Sequence, residues 1–210
     1  MITADRLQRD LTKYTINHSR YEESRSYIGL SSIWDCPAAI INRYLHGNGD
    51  PGVRGRLKCY KGYQIEDDLV RRLIAIYGGG QDTSERIKRN VPIILFGGLV
   101  RGHMELTIDG VPIEVKSVPL DEHLPVKLSR KVLWQVDGYM LYLPSEKCLV
   151  VYESRESGLL RVFEVFLNKE YGERIERKVE ELVRYAKDGI VPGCECGRCS
   201  VPEPKQEVAK

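Results

Sequence analysis

GHMELTIDGVPIEVKS, residues 102–117, places two alternating apolar runs on either side of Asp109-Gly110. Asp-Gly between such runs is the strongest short-range signal for a β-hairpin, because both turn positions need positive φ. With a two-residue loop Ile108 faces Val111, and each step outward pairs residues whose numbers keep the same sum. That register predicts Glu105 directly opposite Glu114 and His103 opposite Lys116. Side chains alternate between the faces of a strand. One face then carries Met104, Leu106, Ile108, Val111, Ile113 and Val115, and the other His103, Glu105, Thr107, Pro112, Glu114 and Lys116.

An amphipathic hairpin with a solvated polar face is the simplest account of that pattern. Two features argue for more. Carboxylates placed directly opposite each other repel and destabilise the pair. A divalent cation between them turns the cost into a binding site, since magnesium prefers carboxylate oxygens. Lys116 lies two residues beyond Glu114 and shares its face. A cation there can position a nucleophilic water or stabilise charge building on a phosphate.

Outward from the hairpin the pattern changes period. Residues 91–100, VPIILFGGLV, read as a preceding strand, and residues 148–154 and 159–166 as a later strand pair. Residues 60–77 repeat Ile65, Leu69, Val70, Leu73 and Ile74 at helical spacing, with glycines closing the element. Residues 129–142 and the strongly amphipathic 168–188 are further helices, the latter stopped by Gly189. The first 47 residues read as mostly helical, interrupted near residues 29–32, with a helix capped by Ser31 or Ser32 and stopped by Gly47. Residues 48–57, rich in Gly and Pro, read as a loop. Helices around a mixed sheet give an α/β or α+β fold.

The 210 residues suit a single domain over residues 1–200, with a polar, disordered tail at 201–210. Lys and Arg number 32 against 30 acids, a net charge of +2, so no global basic field announces nucleic acid. Basic residues cluster locally, as Arg54, Arg56, Lys58 and Lys61, and as Lys127, Arg130 and Lys131. The charged N-terminus is unlike a signal peptide, and no apolar run approaches the roughly 20 residues of a membrane span. A cytoplasmic location is expected, with no membrane partner. Six cysteines in a reducing compartment then favour metal or an inorganic cluster over disulfides. Cys194, Cys196 and Cys199 fall within six residues, a metal-ligand spacing. Cys36 is the expected fourth ligand and Cys59 the alternative, while Cys148, in an apolar strand, reads as an inert core thiol.

Glu-x-Lys after a Gly-x-x-acid strand resembles the PD-(D/E)xK nuclease superfamily in its RecB-like branch. The family's upstream acid is usually Asp. Glu105 holds that place by register, three residues after Gly102, and Asp109, the alternative, falls in the turn. Gln135 and Tyr139, four apart on a helix, resemble the Gln-x-x-x-Tyr motif that follows Glu-x-Lys in these nucleases. KGYQIE puts Glu66 where the family's Gly-x-x-x-His helix supplies a metal ligand. One early and three late cysteines resemble the CRISPR-associated Cas-four family, which carries an iron–sulfur cluster; the late spacing here is tighter than that pattern.

The resemblance spans residues 36–199 and implies a restriction-endonuclease-like α/β core. It implies a magnesium- or manganese-dependent deoxyribonuclease, an exonuclease, acting on single-stranded ends or splayed duplexes. Glu105 and Glu114, with Glu66 and a backbone carbonyl, would hold the ion, Lys116 would orient water, and Gln135 and Tyr139 would line the rim. Cys36, Cys194, Cys196 and Cys199 would hold a 4Fe–4S cluster, with zinc the alternative. CRISPR adaptation proteins are the implied partners and spacer acquisition the implied process. The rival readings are a viral or repair RecB-like nuclease, and a non-catalytic module that only grips DNA or a partner.

Overall fold

The hairpin forms in the register its turn dictates. Asp109 and Gly110 take φ of 50° and 78°, and Ile108 pairs with Val111, Thr107 with Pro112 and Leu106 with Ile113. These strands are β3 (Val100–Ile108) and β4 (Val111–Val118) in a computed structural model that describes residues 26–47, 49, 51–78, 86–194 and 196–197, with residues 8, 9, 13 and 17 before them. The expected tail at 201–210 lies outside the described residues.

Six strands form one mixed sheet. β2 (Ile87–Leu95) runs antiparallel along β3, and β5 (Lys147–Ser154) runs parallel to β4 and antiparallel to β6 (Leu160–Phe166). β1 (Ile28–Gly29) pairs in parallel with Val100 and Arg101 of β3. β2 pairs with those same two residues, so β1 lies on the opposite edge of β3, the edge that β4 occupies at the other end. Between Arg101 and Leu106 that edge is unpaired, because β4 leaves β3 at Ile113 to follow β5.

Four helices of the described residues flank the sheet: α1 (Pro37–His46), α2 (Gly52–Tyr77), α3 (Arg130–Tyr142) and α4 (Lys169–Asp188). Ser129 caps α3 by accepting from the Val132 N–H at 3.3 Å, and Asn168 caps α4 by accepting from that of Tyr171 at 3.2 Å. Gly189, at φ 67°, ends α4 in the left-handed region. α4 buries Ile175, Val179, Leu182, Val183 and Ala186 at helical spacing, in a large core shared with α1, α3 and β1. A smaller core lies beneath α2, where Leu69 and Val70 meet Ile113 and Val115. Val150 enters the first core and Val151 the second, so the two cores lie on opposite faces of β5.

Three sequence expectations change. α1 is not capped by Ser31 or Ser32: Cys36 is its N-cap with Pro37 following, a position where proline's missing N–H costs nothing. Ser32 Oγ instead donates to the Gly29 carbonyl at 2.8 Å, closing a 3-10 turn over Leu30–Ser32, where the sequence placed an interruption. α2 starts at Gly52, not residue 60. Pro51 opens it, Gly55 is needed because a Cβ there would lie 2.6 Å from Pro51 Cβ, and good helix formers follow. Finally, the apolar face of the hairpin is divided. Met104 packs in the large core and Leu106, two residues on, in the small one. β3 changes face at Glu105, where the β2 ladder also skips the Asn90 position and Asn90 takes φ 49°.

Candidate active site

Glu105 sits where β3 is unpaired. Its Oε2 accepts the Val115 N–H at 2.9 Å, so a side chain spans the distance that a ladder hydrogen bond would have closed. Glu105 and Glu114 are thus not cross-strand partners: the expected register holds to Leu106 and Ile113, and the strands diverge at the next residue pair. Burial, then the charges of Glu114 and Glu66, push the Glu105 carboxyl up to about 8.

Glu114 is 2% exposed. Its Oε1 accepts from the Lys116 ammonium in a short ion pair and from Gln135 Nε2 at 2.7 Å. Burial pulls the Lys116 pKa down, but Glu114, Glu105 and Glu66 outweigh it and the group stays a firm cation. The Gln135 amide also donates to Tyr139 Oη at 3.1 Å, so the two Gln-x-x-x-Tyr residues act as one unit against Glu114. Burial and then Glu114 raise the Tyr139 phenol, and Ser31 shares a hydrogen bond with it.

Gly102 explains how α3 comes this close. A Cβ there would lie 2.9 Å from Leu30 Cβ and 3.2 Å from Tyr139 Cε1. Only glycine lets the 3-10 turn and Tyr139 pack together on β3 beside Glu105. Glu66 enters from α2, on the other face. Burial raises its carboxyl and Glu114 adds to the rise, while Lys116 and Arg155 oppose it. Glu66, Glu105, Glu114, Lys116, Gln135 and Tyr139 therefore meet around one gap in the sheet. Asp109 is remote in role: its carboxylate pairs with Arg86 at 2.8 Å and 2.9 Å on the exposed turn.

Three carboxylates face one ammonium, and oxygen donors of this kind suit magnesium or manganese. They do not converge as tightly as the protein's clustered thiols: among the described residues no three carboxylate oxygens lie within 4.8 Å of one another. Mutual repulsion and the donors from Val115, Lys116 and Gln135 account for the spread.

Cys36, Cys194 and Cys196 bring their sulfurs within 4.8 Å of one another, with Cys36–Cys194 at 4.0 Å and Cys194–Cys196 at 3.4 Å. Cys36 rather than Cys59, exposed on α2, joins the late cysteines, and Cys199 lies outside the described residues. Lys178 donates to the Asp35 carbonyl at 2.8 Å beside this group. Cys148 is fully buried, and burial then Glu114 push its thiol up to about 12, which suits an unreactive core residue. Arg155 and Ser117 were not singled out by sequence. Arg155 lies in a turn without periodicity, and only the fold brings it to Glu66.

No protein-family model and no curated protein matches this sequence. Solved structures do resemble the fold. The alkaline exonuclease LHK-Exo of Laribacter hongkongensis, also solved in complex with dAMP, is 14% identical over 78% of this chain and 89% of its own, with TM-score 0.58. A phage-related exonuclease from Haemophilus somnus 129PT is 10% identical over 77% and 94%, with TM-score 0.56. A protein solved under the name SSO0001 is 16% identical over 85% and 86%, with TM-score 0.57. The chain has the restriction-endonuclease-like α/β core, and exonucleases are among the solved proteins that share it.

Proposed function

We propose that this protein is a divalent-metal-dependent deoxyribonuclease that trims DNA from an end. The observation that carries the reading is the convergence of Glu66, Glu105 and Glu114 with Lys116 where β3 lacks a partner on the edge that faces β4. Buried acids with so little compensating charge are costly unless a cation joins them. Magnesium or manganese bound there would polarise the scissile phosphate and a water molecule. Glu105 and Glu114 would be the principal ligands and Glu66 a third. Lys116, held by Glu114, would orient the attacking water, and the Gln135–Tyr139 pair would fix Glu114 and line the rim. DNA as substrate class is supported by the exonuclease neighbours, one of them solved with dAMP. A preference for single-stranded ends or splayed duplexes, and a place in CRISPR spacer acquisition beside adaptation proteins, rest on the sequence resemblance.

Cys36, Cys194, Cys196 and Cys199 would hold an inorganic centre that ties the start of α1 to the end of the domain. The resemblance favours a 4Fe–4S cluster. The sulfur spacings of 3.4 Å and 4.0 Å favour a second reading, a single tetrahedral zinc. Zinc–sulfur bonds of about 2.3 Å put thiolates roughly 3.8 Å apart, and a cluster of several irons spreads them further. A visible spectrum with iron and zinc analysis of anaerobically purified protein separates the two.

Cleavage of end-labelled single-stranded, splayed and blunt oligonucleotides, with manganese and with chelator, tests the activity. Manganese-dependent trimming from an end is the expected result. Tight binding without cleavage would instead establish the non-catalytic reading.

A further inference from the structure

Gly62 lies one helical turn before Glu66, inside the 26-residue helix α2. Glycine in a helix interior costs about 1 kcal/mol relative to alanine. Gly55, in the same helix, is required by its 2.6 Å approach to Pro51, but a Cβ at Gly62 would meet only Arg155 Nη2 at 3.7 Å and Ser117 Oγ at 3.9 Å. Those are ordinary contact distances, so packing does not demand glycine here. The methyl group would instead enter the space in front of Arg155 and Ser117.

Arg155 is exposed, in the turn after β5, and its own N–H donates to the Val118 carbonyl at 2.8 Å, fixing the turn on the end of β4. Its Nε and Nη2 donate to Ser117 Oγ at 3.2 Å and 3.0 Å. Among the described residues no carboxylate lies within ion-pair distance of this guanidinium, although Glu66 feels its charge, while Arg72 is paired with Glu153. A guanidinium carries five N–H donors in a planar fork suited to phosphate oxygens, and most of these are left over. Ser117 immediately follows Lys116.

We propose that Arg155 and Ser117, with the bare surface of Gly62, form a phosphate subsite that grips the backbone phosphate next to the scissile one. Positions one helical turn apart are on the order of 5–6 Å from each other, so the subsite stands about one nucleotide step from Glu66. The inference rests on the nuclease reading for its orientation. Contacts of this class set register along the strand and carry no base preference.

The test measures binding of a labelled oligonucleotide in calcium and cleavage in manganese, for wild type, Arg155→Gln, Arg155→Lys and Gly62→Ala. Each phosphate flanking the cleavage position is replaced in turn by a neutral methylphosphonate. Arg155→Gln should weaken binding about tenfold for every sequence, lower the salt dependence by about one counterion and raise KM by a larger factor than it lowers kcat. Arg155→Lys should recover some of the affinity. Gly62→Ala should melt higher than wild type yet raise KM. One methylphosphonate should weaken wild type by the same factor and add nothing to Arg155→Gln. Wild-type affinity and salt slope in Arg155→Gln, beside normal cleavage, would overturn the subsite and leave the nuclease reading standing. Binding that depends on Arg155 without any cleavage would retain the subsite and remove the nuclease. A wild type that neither binds nor cleaves removes both.

Discussion

Glu105 takes the Val115 N–H at 2.9 Å, one residue past the point where β3 and β4 cease to pair. The carboxylate substitutes for a missing ladder partner, and the acid is thereby fixed in a gap of the sheet that the turn at Asp109 opens away from. Removing its charge and removing its oxygen are therefore different experiments.

Glu105→Gln keeps an oxygen for Val115 while removing the charge. Cleavage should vanish, and melting at pH 8 should match or exceed wild type. Glu105→Ala should be equally inactive but melt lower, by about 1 kcal/mol for the unpaired N–H. Manganese-dependent rates beside melting curves decide this; an active Glu105→Gln would remove Glu105 from the ion's ligands.

Glu114→Ala should be inactive and clearly destabilised. It strips partners from Lys116 and Gln135 at once. Breaking a buried pair costs about 3–5 kcal/mol; Lys116 keeps 28% side-chain exposure, so about 2–3 kcal/mol is expected here. Lys116→Ala should abolish cleavage yet spare ion binding, since an ammonium is no ligand. Urea titration and metal calorimetry check both, and a Glu114→Ala protein as stable as wild type contradicts the network.

Proton release should accompany ion binding. Burial and the neighbouring acids push the Glu105 carboxyl up to about 8 from an ordinary 4.5. The raised carboxyl makes the metal-free fold most stable, on this group's account, below pH 4.5, and that contribution is lost as pH climbs toward 8. A cation competes with the same proton, so its affinity should rise with pH and level off above about 8. Calorimetry at pH 7 in two buffers of unlike ionisation enthalpy should show a proton leaving; equal heats would contradict the assignment. Glu105→Gln should flatten both dependences.

Asp109→Asn should cleave at the wild-type rate, because Asn tolerates the left-handed turn and only the exposed Arg86 pair is lost. A dead Asp109→Asn beside an active Glu105→Ala would move the upstream acid into the turn.

If the thiols hold the proposed metal, Cys36→Ser and Cys196→Ser should each lower the metal content and melt lower, with residual cleavage by whatever fraction stays folded. Metal analysis, melting and specific activity together check this. A variant that melts like wild type but cannot cleave would assign the thiols to the chemistry.

The hairpin was readable because its determinants are local: a turn needing positive φ and two runs of period two. Gln135 and Tyr139 were readable because helical spacing fixes which residues share a side. The divergence of β3 and β4 was not, since it depends on β5 drawing β4 away, and β5 begins 36 residues beyond Val111. Two-residue β1 carries no period at all. Gly102 stood out as a motif letter, but its reason, the approach of Leu30 and Tyr139, is purely tertiary. Arg155 was one arginine among many until the fold set it beside Ser117 and Glu66.

β1 holds to β3 through two residues only, with the Ile28 N–H on the Leu99 carbonyl at 2.8 Å. The ladder is short, but Ile28 and Leu30 are each 1% exposed in the large core, so burial more than strand pairing holds this segment. The segment it anchors also carries Leu30 against Gly102 and Ser31 against Tyr139. Native-state hydrogen exchange should therefore find the Ile28 amide protected to a degree comparable with β3, and Leu30→Ala should speed its exchange. Were that latch to lift, the edge of β3 beside Glu105 would lose its cover, so among the described residues the most charged interior is guarded by an apolar plug.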